Sequence, residues 1–165
     1  MKKSGIKKVK KLGQGLNRTL LLRAHGTSKK IIEKAKRQGY KIVDATCLMV
    51  KEIHKIAAEM EQKGCTIIII GDKKHDEVRG IIGQLKRKAI VIDNFSSIPF
   101  DKIKKIKKAA IVVQSTQNVE KVSEIVGRLK PVIEKLEFFN TICRPTSIKQ
   151  EEIKRMPLKN DLMII

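Results

Sequence analysis

Short apolar runs rich in isoleucine and valine alternate along the chain with longer stretches in which apolar residues recur at helical spacing. The runs have the length and composition of β-strands, and seven are predicted, over residues 19–22, 41–43, 66–70, 89–92, 109–113, 136–139 and 162–165. Strands that are buried on both faces and separated by helices are typical of parallel βαβ units. The predicted fold class is therefore α/β, built of parallel-sheet βαβ domains.

Three amphipathic helices are predicted between the strands. Their apolar positions are, in chain order, Ile31, Ile32 and Ala35; Val50, Ile53, Ala57 and Met60; and Val119, Val122, Ile125, Val126 and Leu129. A fourth helix is expected to run to Met156, with Ser147 as its N-cap and Gln150 at the third position. His54 lies within the second helix and is expected to be an exposed helix residue.

The hydrophobic fraction of 41% is enough to build a core, and the longest purely apolar run is the five residues at 109–113. That run is too short to span a membrane, and the basic N-terminal segment is not followed by the apolar stretch of a secretory signal. Three cysteines without close pairing in such a chain predict reduced thiols and a cytoplasmic location.

The net charge of +20 attracts anions, but it does not by itself indicate a nucleic-acid partner. Lysine accounts for 29 of the 37 basic residues, whereas phosphate and base recognition tends to use arginine. Aromatic residues, on which single-stranded bases stack, make up only 3% of the chain. Solvated lysine faces are therefore favoured over a nucleic-acid site, and no membrane partner is expected.

Chemically active side chains follow five of the predicted strands. The segments RAHGTS, DATC, GDKKHDEVRG and NTIC each come directly after a strand, and VQSTQ begins at the last residue of one. Open parallel sheets bind ligands beyond the carboxyl ends of their strands, where the loops enter helices. One site is therefore expected to collect two thiols, two imidazoles, a carboxylate and two hydroxyls: Cys47, Cys143, His25, His75, Glu77, Ser115 and Thr116.

Each of these residues also has a structural interpretation. A free cysteine is often a small buried hydrophobe, but Cys47 and Cys143 precede predicted helices, whose dipoles favour a thiolate and hence metal ligation. Cys65 precedes its strand instead, at the opposite sheet edge, and is expected in the core. Glu77 at a helix start could simply complement the helix dipole, and Asp44 is expected to orient the loop around Cys47.

Four of these motifs, in this order and spacing, resemble one enzyme family. RAHGTS at 23–28, DATCLMV at 44–50, GDKKHDEVRGIIGQ at 71–84 and NTICRPTSIKQEE at 140–152 are similar to segments of 4-hydroxy-3-methylbut-2-enyl diphosphate reductase. The resemblance implies α/β domains around a 4Fe-4S cluster that three cysteines hold. It also implies isoprenoid precursor synthesis, by reductive dehydroxylation of an allylic alcohol diphosphate to isopentenyl and dimethylallyl diphosphate. The implied electron donor is a protein such as ferredoxin or flavodoxin.

The resemblance implies a role for each motif residue. Cys47 and Cys143 correspond to the second and third ligands of the cluster, and Glu77 corresponds to the carboxylate that relays protons to the substrate. Ser115 stands at the place of a substrate-binding threonine, with Thr116 beside it. The resemblance thus implies that His25, on the diphosphate, binds substrate together with His75, Ser115 and Thr116.

The chain also departs from the family pattern. The family's first cysteine and its early substrate histidine have no counterpart in the sequence, and Asp76 stands where proline commonly separates the histidine from the glutamate. The resemblance therefore implies an enzyme truncated at both ends. It would comprise the second half of a first α/β domain at 1–47, a complete middle domain at 48–139 and the start of a third domain at 140–165. A complementing chain would have to supply the third cysteine.

Two functions from different classes are compatible with these observations. The first is an oxidoreductase, or part of one, which carries two of three cluster ligands and is not expected to turn over substrate by itself. The second is a non-catalytic basic module that holds nucleic acid or another anion on the same scaffold, and a weaker third is a decayed pseudoenzyme. The joint presence of Cys47, His75, Glu77 and Cys143 favours the first.

Overall fold

The computed structural model describes residues 5–9 and 11–156. They form the strands β1 Thr19–Leu22, β2 Lys41–Asp44, β3 Thr66–Ile70, β4 Ile90–Ile92, β5 Lys108–Val113 and β6 Lys135–Phe138. The helices are α1 Lys29–Arg37, α2 Leu48–Gln62, α3 Asp76–Ile82, α4 Phe100–Ile103, α5 Val119–Leu129 and α6 Arg144–Arg155, with a 3-10 turn at Phe95–Ser97. The first six predicted strands are confirmed to within one residue at each end, and the seventh, over 162–165, lies outside the described residues. No helix in this part of the chain is long and apolar enough to cross a membrane.

Every pair of strands in the described residues is parallel, which confirms the α/β class. β1 pairs with β2, and a second sheet has the strand order β4-β3-β5-β6. At the carboxyl ends, Leu22 lies opposite Asp44 in the first sheet and Ile70 lies opposite Val113 in the second. Loops that follow paired strands therefore leave from the same edge of each sheet. The division into domains at 1–47, 48–139 and 140–165 stays a prediction.

Apolar side chains cover both faces of the four-stranded sheet. Alternate residues of β3 and β5 point to opposite faces, so Ile68 and Ile111 pack with α5 while Ile67 and Val112 pack with α2 and α3. Cys65 belongs to the second of these two clusters and is only 1% exposed, which confirms its predicted place in the core. The paired strands β3 and β5 thus form a rigid centre from which the site loops emerge.

Not every strand is buried on both faces. Leu21 and Val43, which lie side by side on β1 and β2, remain 49% and 51% exposed, and Phe138 on β6 remains 42% exposed. The expectation of two buried faces is therefore wrong for β1, β2 and β6. Each of these strands pairs with only one other strand in the described part of the chain, so it lies at the margin of its sheet.

Helix α6 begins earlier than the sequence pattern predicts. Its N-cap is Cys143, and Pro145 lies in its first turn, where the fixed φ of proline favours the helix and its missing N–H costs no hydrogen bond. Ser147 consequently lies inside the helix, and its N–H donates to the carbonyl of Cys143 at 3.1 Å. The predicted Ser147 cap is wrong, and the earlier start places Cys143 directly at the helix N-terminus.

Candidate active site

Loops at the carboxyl ends of five strands carry the seven residues that the sequence singles out. His25 follows β1, Cys47 follows β2, His75 and Glu77 follow β3, Ser115 and Thr116 follow β5, and Cys143 follows β6. Contacts between neighbouring loops connect six of the seven, and Thr116 is the exception. Six of the seven residues thus lie on loops that contact one another at the carboxyl ends of the strands, and their roles stay predictions.

Glu77 is almost completely buried, with 2% of its surface exposed, although it lies in the first turn of α3. Its Oε1 accepts a hydrogen bond from the backbone N–H of Ser115 at 2.7 Å, and its Oε2 accepts one from the Ser115 hydroxyl at 2.8 Å. One residue at the end of β5 thus holds both oxygens of a carboxylate that follows β3. A side chain that only complemented the helix dipole would need neither the burial nor the two bonds.

Two histidines from different sheets meet beside this pair. His75 is the N-cap of α3, and its Nδ1 accepts a hydrogen bond from the N–H of Glu77 at 3.2 Å. Because Nδ1 is the acceptor, Nε2 is the donor nitrogen of the neutral ring. The ring of His25 lies edge-on to that of His75, with 5.3 Å between centroids and 76° between planes. The Nδ1 of His25 is buried and has no hydrogen-bond partner within the described residues.

Cys47 and Cys143 occupy equivalent positions at the starts of two helices. Each is an N-cap, of α2 and α6 respectively, and neither thiol makes a capping hydrogen bond. Cys47 is exposed, whereas Cys143 is partly buried. The N–H of Cys47 donates to the carbonyl of Ala24 at 3.0 Å, and the N–H of Cys143 donates to the carbonyl of Ser115 at 2.8 Å. Both thiols are therefore attached through the backbone to the loops that carry His25 and Ser115.

Polar side chains fix the loops that follow β5 and β6. The hydroxyl of Thr141 accepts from the N–H of Val113 at 2.8 Å and donates to its carbonyl at 2.6 Å, so it continues the β5–β6 pairing almost to Cys143. Gln114 is buried and donates from Nε2 to the hydroxyl of Thr116 at 3.1 Å. Thr116 itself is exposed, and its hydroxyl makes no hydrogen bond to the carboxylate of α3. Ser115 is therefore the only one of the two hydroxyl residues that contacts the carboxylate.

Asp44 orders the loop before Cys47, as the sequence predicts. Its carboxylate accepts a bond from the N–H of Thr46 at 2.9 Å and lies 2.8 Å from the ammonium of Lys51. The bond from Lys51, followed by that from Thr46, lowers the pKa of Asp44 to about 2. The group is therefore charged at neutral pH and holds the turn between β2 and α2.

An ion pair joins the first sheet to α3 on the outer side of the site. Arg23 donates to Asp76 at 2.6 Å, and this bond holds the pKa of Asp76 below its ordinary value. A second connection lies at the far end of α3, where the amide of Gln84 donates to the carbonyl of Thr27 at 2.8 Å. The loop that contains His25 is thus attached to both ends of α3.

The prediction that His54 is an exposed helix residue is wrong. Its ring packs against the loop after β1, and its Nε2 is buried without a hydrogen-bond partner in the described ranges. Burial lowers the pKa of His54 to about 4. The sequence did hold a signal for this placement, because His54 comes four residues after Val50 and three before Ala57, both of which are buried on α2.

The two cysteines offer the donor type that an iron–sulfur cluster requires. Thiolate sulfur is the protein ligand of such clusters, and a helix N-terminus favours the thiolate form. Within residues 5–9 and 11–156, no three side chains of histidine, cysteine, aspartate or glutamate come together as a metal-binding group. Cys47 and Cys143 therefore have the donor type of cluster ligands, and their role as two of the three that the resemblance implies stays a prediction.

Comparison with known proteins connects this arrangement to one group of relatives. A family profile described as LytB protein matches residues 1–165. The 4-hydroxy-3-methylbut-2-enyl diphosphate reductase of Aquifex aeolicus is 34% identical over 150 residues, which cover 89% of this chain and 51% of the relative. The enzyme of the same name from Clostridioides difficile is 38% identical over 146 residues, which cover 88% of this chain and 52% of the relative. The chain thus spans about half the length of the curated relatives it matches.

Two solved structures share the fold. One is (E)-4-hydroxy-3-methyl-but-2-enyl diphosphate reductase, described as the terminal enzyme of the non-mevalonate pathway; the TM-score is 0.76 at 32% identity, and the match covers 88% of this chain and 53% of the other. The other is the corresponding diphosphate reductase from Plasmodium falciparum, with a TM-score of 0.75 at 28% identity and coverage of 88% and 46%. Both matches take in most of this chain and about half of the other.

Proposed function

Because the chain belongs to the LytB protein family, we propose that its site is part of a 4-hydroxy-3-methylbut-2-enyl diphosphate reductase. In the proposed reaction, an allylic alcohol diphosphate takes up two electrons and two protons and loses its hydroxyl group as water. The products are isopentenyl and dimethylallyl diphosphate. The observation that carries the proposal is the buried pair of Glu77 and Ser115. His75 bonds to Glu77 and contacts His25, and backbone hydrogen bonds attach the two N-cap cysteines to the loops of His25 and Ser115.

The two histidines are the proposed anchors of the substrate diphosphate. His75 keeps Nε2 as a donor because its Nδ1 already accepts from Glu77, so the ring can donate to an anionic oxygen. His25 contacts His75 edge-on and comes from the other sheet, so an anion held by both rings would bridge the two sheets. The net charge of +20 raises the local concentration of such an anion.

Glu77 and Ser115 are the proposed route of the proton. A hydroxyl both donates and accepts, so Ser115 can pass a proton from Glu77 to an alcohol oxygen of the bound substrate. The 2.8 Å between the Glu77 Oε2 and the Ser115 Oγ is a hydrogen-bond distance. The hydroxyl donates to Glu77 in this structure, so the relay requires it to turn toward the substrate, where it gives up its own proton as it takes one from the protonated Glu77. Burial of both residues keeps bulk water from competing for that proton.

Cys47 and Cys143 are the proposed ligands that this chain gives to the 4Fe-4S cluster. When bound, the cluster would supply the electrons of the reaction, from a donor such as ferredoxin or flavodoxin. Both thiols lie at helix N-termini and make no capping hydrogen bond, so neither would have to break one in order to bind a metal. Two thiolates are one fewer than the resemblance implies, so we expect no turnover by these 165 residues without a polypeptide that brings a third.

Anaerobic reconstitution with iron and sulfide tests the proposal. We would mix the chain with the segments of the Aquifex aeolicus relative that lie outside the match, then measure the cluster absorption and the formation of isopentenyl diphosphate with a chemical reductant. Both signals are expected for the mixture, and Cys47→Ser or Cys143→Ser should abolish the absorption. Cys65→Ala is the matched control, because that thiol lies in the core and its removal should leave the absorption intact.

Two results would contradict the proposal. One is a cluster that survives in Cys47→Ser or Cys143→Ser, since its ligands would then lie elsewhere. The other is a cluster that forms normally in Glu77→Gln and gives undiminished product, since Glu77 would then have no part in moving the proton. Turnover by the 165-residue chain in the absence of the second polypeptide would refute the expected need for a third thiolate.

A further inference from the structure

His54 lies between two glycines that belong to different parts of the site. A Cβ atom placed on Gly26 would lie 2.7 Å from the Cε1 of His54, and one placed on Gly80 would lie 3.2 Å from its Nε2. A side chain on Gly26 would displace the imidazole, and one on Gly80 would require it to shift by a few tenths of an ångström. Gly26 directly follows His25, and Gly80 lies on α3 three residues after Glu77. The edge of one ring thus fills the space between these two backbones.

The same contact reaches the backbone of His25. The carbonyl oxygen of His25 would also lie 3.2 Å from a Cβ on Gly80, so α3 and the β1 loop approach each other closely at this point. The imidazole of His54 enters from α2, the helix that begins at Cys47. One side chain therefore touches the two elements that carry the paired rings of His25 and His75.

His54 is neutral in this position, and its surroundings explain why. Burial is the main cause of its low pKa of about 4; the charge of Lys29 adds to the effect and that of Asp44 opposes it. A neutral ring can stay packed against backbone atoms without a counter-ion. Within the described residues its buried Nε2 has no partner, so no hydrogen bond there defines the ring's position. The ring therefore acts through the space that it fills.

We propose that His54 is a positioning residue, whose ring sets the separation between the His25–Gly26 loop and α3 and thereby the 5.3 Å contact between His25 and His75. The consequence for substrate rests on the proposed function, in which these two rings hold the diphosphate. Small displacements of groups that bind one ligand together are costly, since both must reach it at once. His54 would then control anion affinity without touching the anion.

The chain contains three histidines, and all three belong to this arrangement. Ring 15N and 1H NMR spectra of the full 165-residue chain therefore observe His25, His54 and His75 without interference. In His54→Ala, the ring signals of both remaining histidines are expected to move, because the loop and α3 close on the space left behind. His54→Gln places an amide near the position of Nε2, so its spectrum should stay close to that of the native chain.

Gly80→Ala tests the contact from the other side. Alanine is normally better than glycine inside a helix, but at this position its methyl group meets His54 and the His25 carbonyl. We expect Gly80→Ala to lower the urea midpoint and move the His25 and His75 signals, and the addition of His54→Ala to restore part of both. Gly127→Ala on α5 is the matched control, because a Cβ there meets nothing within 4 Å, and it should raise the midpoint and leave the rings unchanged.

Binding of inorganic pyrophosphate, measured by calorimetry on the same proteins, tests whether the positions of the two rings affect the affinity for a diphosphate. We expect His54→Ala to bind it about tenfold more weakly than the native chain and His54→Gln to recover most of the affinity. Unmoved His25 and His75 signals in His54→Ala, or additive effects of His54→Ala and Gly80→Ala, would overturn the positioning role. Absence of pyrophosphate binding by the native chain would instead contradict the proposed anion site, and the ring spectra would still decide the role of His54.

Discussion

Replacement of Ser115 by alanine removes one of the two hydrogen bonds that hold the buried carboxylate of Glu77. The bond from the hydroxyl to Oε2 is lost, while the bond from the N–H of Ser115 to Oε1 remains. Water cannot replace the lost donor, because Glu77 is only 2% exposed. A hydrogen bond to a charged group contributes about 1.5 to 3 kcal/mol, so we expect the free energy of unfolding to fall by about 2 kcal/mol.

Urea unfolding of the chain at pH 7 measures this loss as a decrease of the midpoint of about 1 M at unchanged slope. Thr116→Ala is the matched control, since it removes a neighbouring hydroxyl that is exposed and bonded only to Gln114, and it should cost about 0.5 kcal/mol. Combination of Ser115→Ala with Glu77→Gln should cost less than the sum of the two single changes, because they share a contact. Equal losses for Ser115→Ala and Thr116→Ala, or strict additivity with Glu77→Gln, would refute the coupling.

Three further predictions concern other parts of the chain. Burial holds the pKa of His54 at about 4, below the ordinary value of about 6.5, so the unfolded chain binds this proton more tightly. The contribution of the neutral ring to the free energy of unfolding is therefore complete above about pH 6.5 and is lost as the pH falls toward 4. After allowance for partial exposure, we expect this loss to be about 1 to 2 kcal/mol. Urea titrations at several pH values should show it in the native chain and not in His54→Gln. Cys47 should react with a disulfide reagent in the folded chain, whereas Cys65, 1% exposed, should react only in denaturant; rapid reaction of Cys65 in the native chain would contradict its place in the core. Glu61→Gln should lower the free energy of unfolding in urea by about 1 to 3 kcal/mol, because Glu61 is buried and accepts bonds from the N–H groups of Lys86 and Arg87 between α3 and β4; it should leave the histidine ring signals unchanged.

Strand positions could be predicted closely because the buried strands are apolar along their whole length. β3 runs over Thr66–Ile70, as the apolar run indicates, since every residue after Thr66 is buried. Three of the five errors of one residue arise where backbone pairing continues into polar positions, and in the other two an apolar residue, Ala89 or Phe139, lies just outside its strand. Lys108 and Lys135 begin β5 and β6 and lie opposite each other in the ladder, although neither side chain is apolar. Hydrophobicity marks the buried part of a strand, whereas hydrogen bonding sets its ends.

The site was only partly predictable, because its members are joined by contacts between distant parts of the sequence. The rule that ligands bind at the carboxyl ends of parallel strands predicts that Glu77 and Ser115 lie at one edge. It does not predict the two hydrogen bonds between them. Thr141 was missed because its value lies in a contact with Val113, 28 residues away, which no local pattern contains. His54 differs from Thr141, because its helical spacing places it on the buried face of α2, whereas its polar side chain favours the surface.

The contacts at the site also explain what holds the first sheet against the second. Within the described ranges, no strand of one sheet pairs with a strand of the other, so the connection depends on loops and side chains. The ion pair of Arg23 with Asp76, the edge-on contact of His25 with His75 and the packing of His54 all lie at this junction. These contacts are few and mostly polar, and an exposed ion pair such as that of Arg23 contributes little free energy. A ligand held by both imidazoles would add a contact across the same junction, so substrate binding and the docking of the two sheets should be thermodynamically linked. The residues proposed to hold the diphosphate are therefore also residues on which the assembly of the site depends.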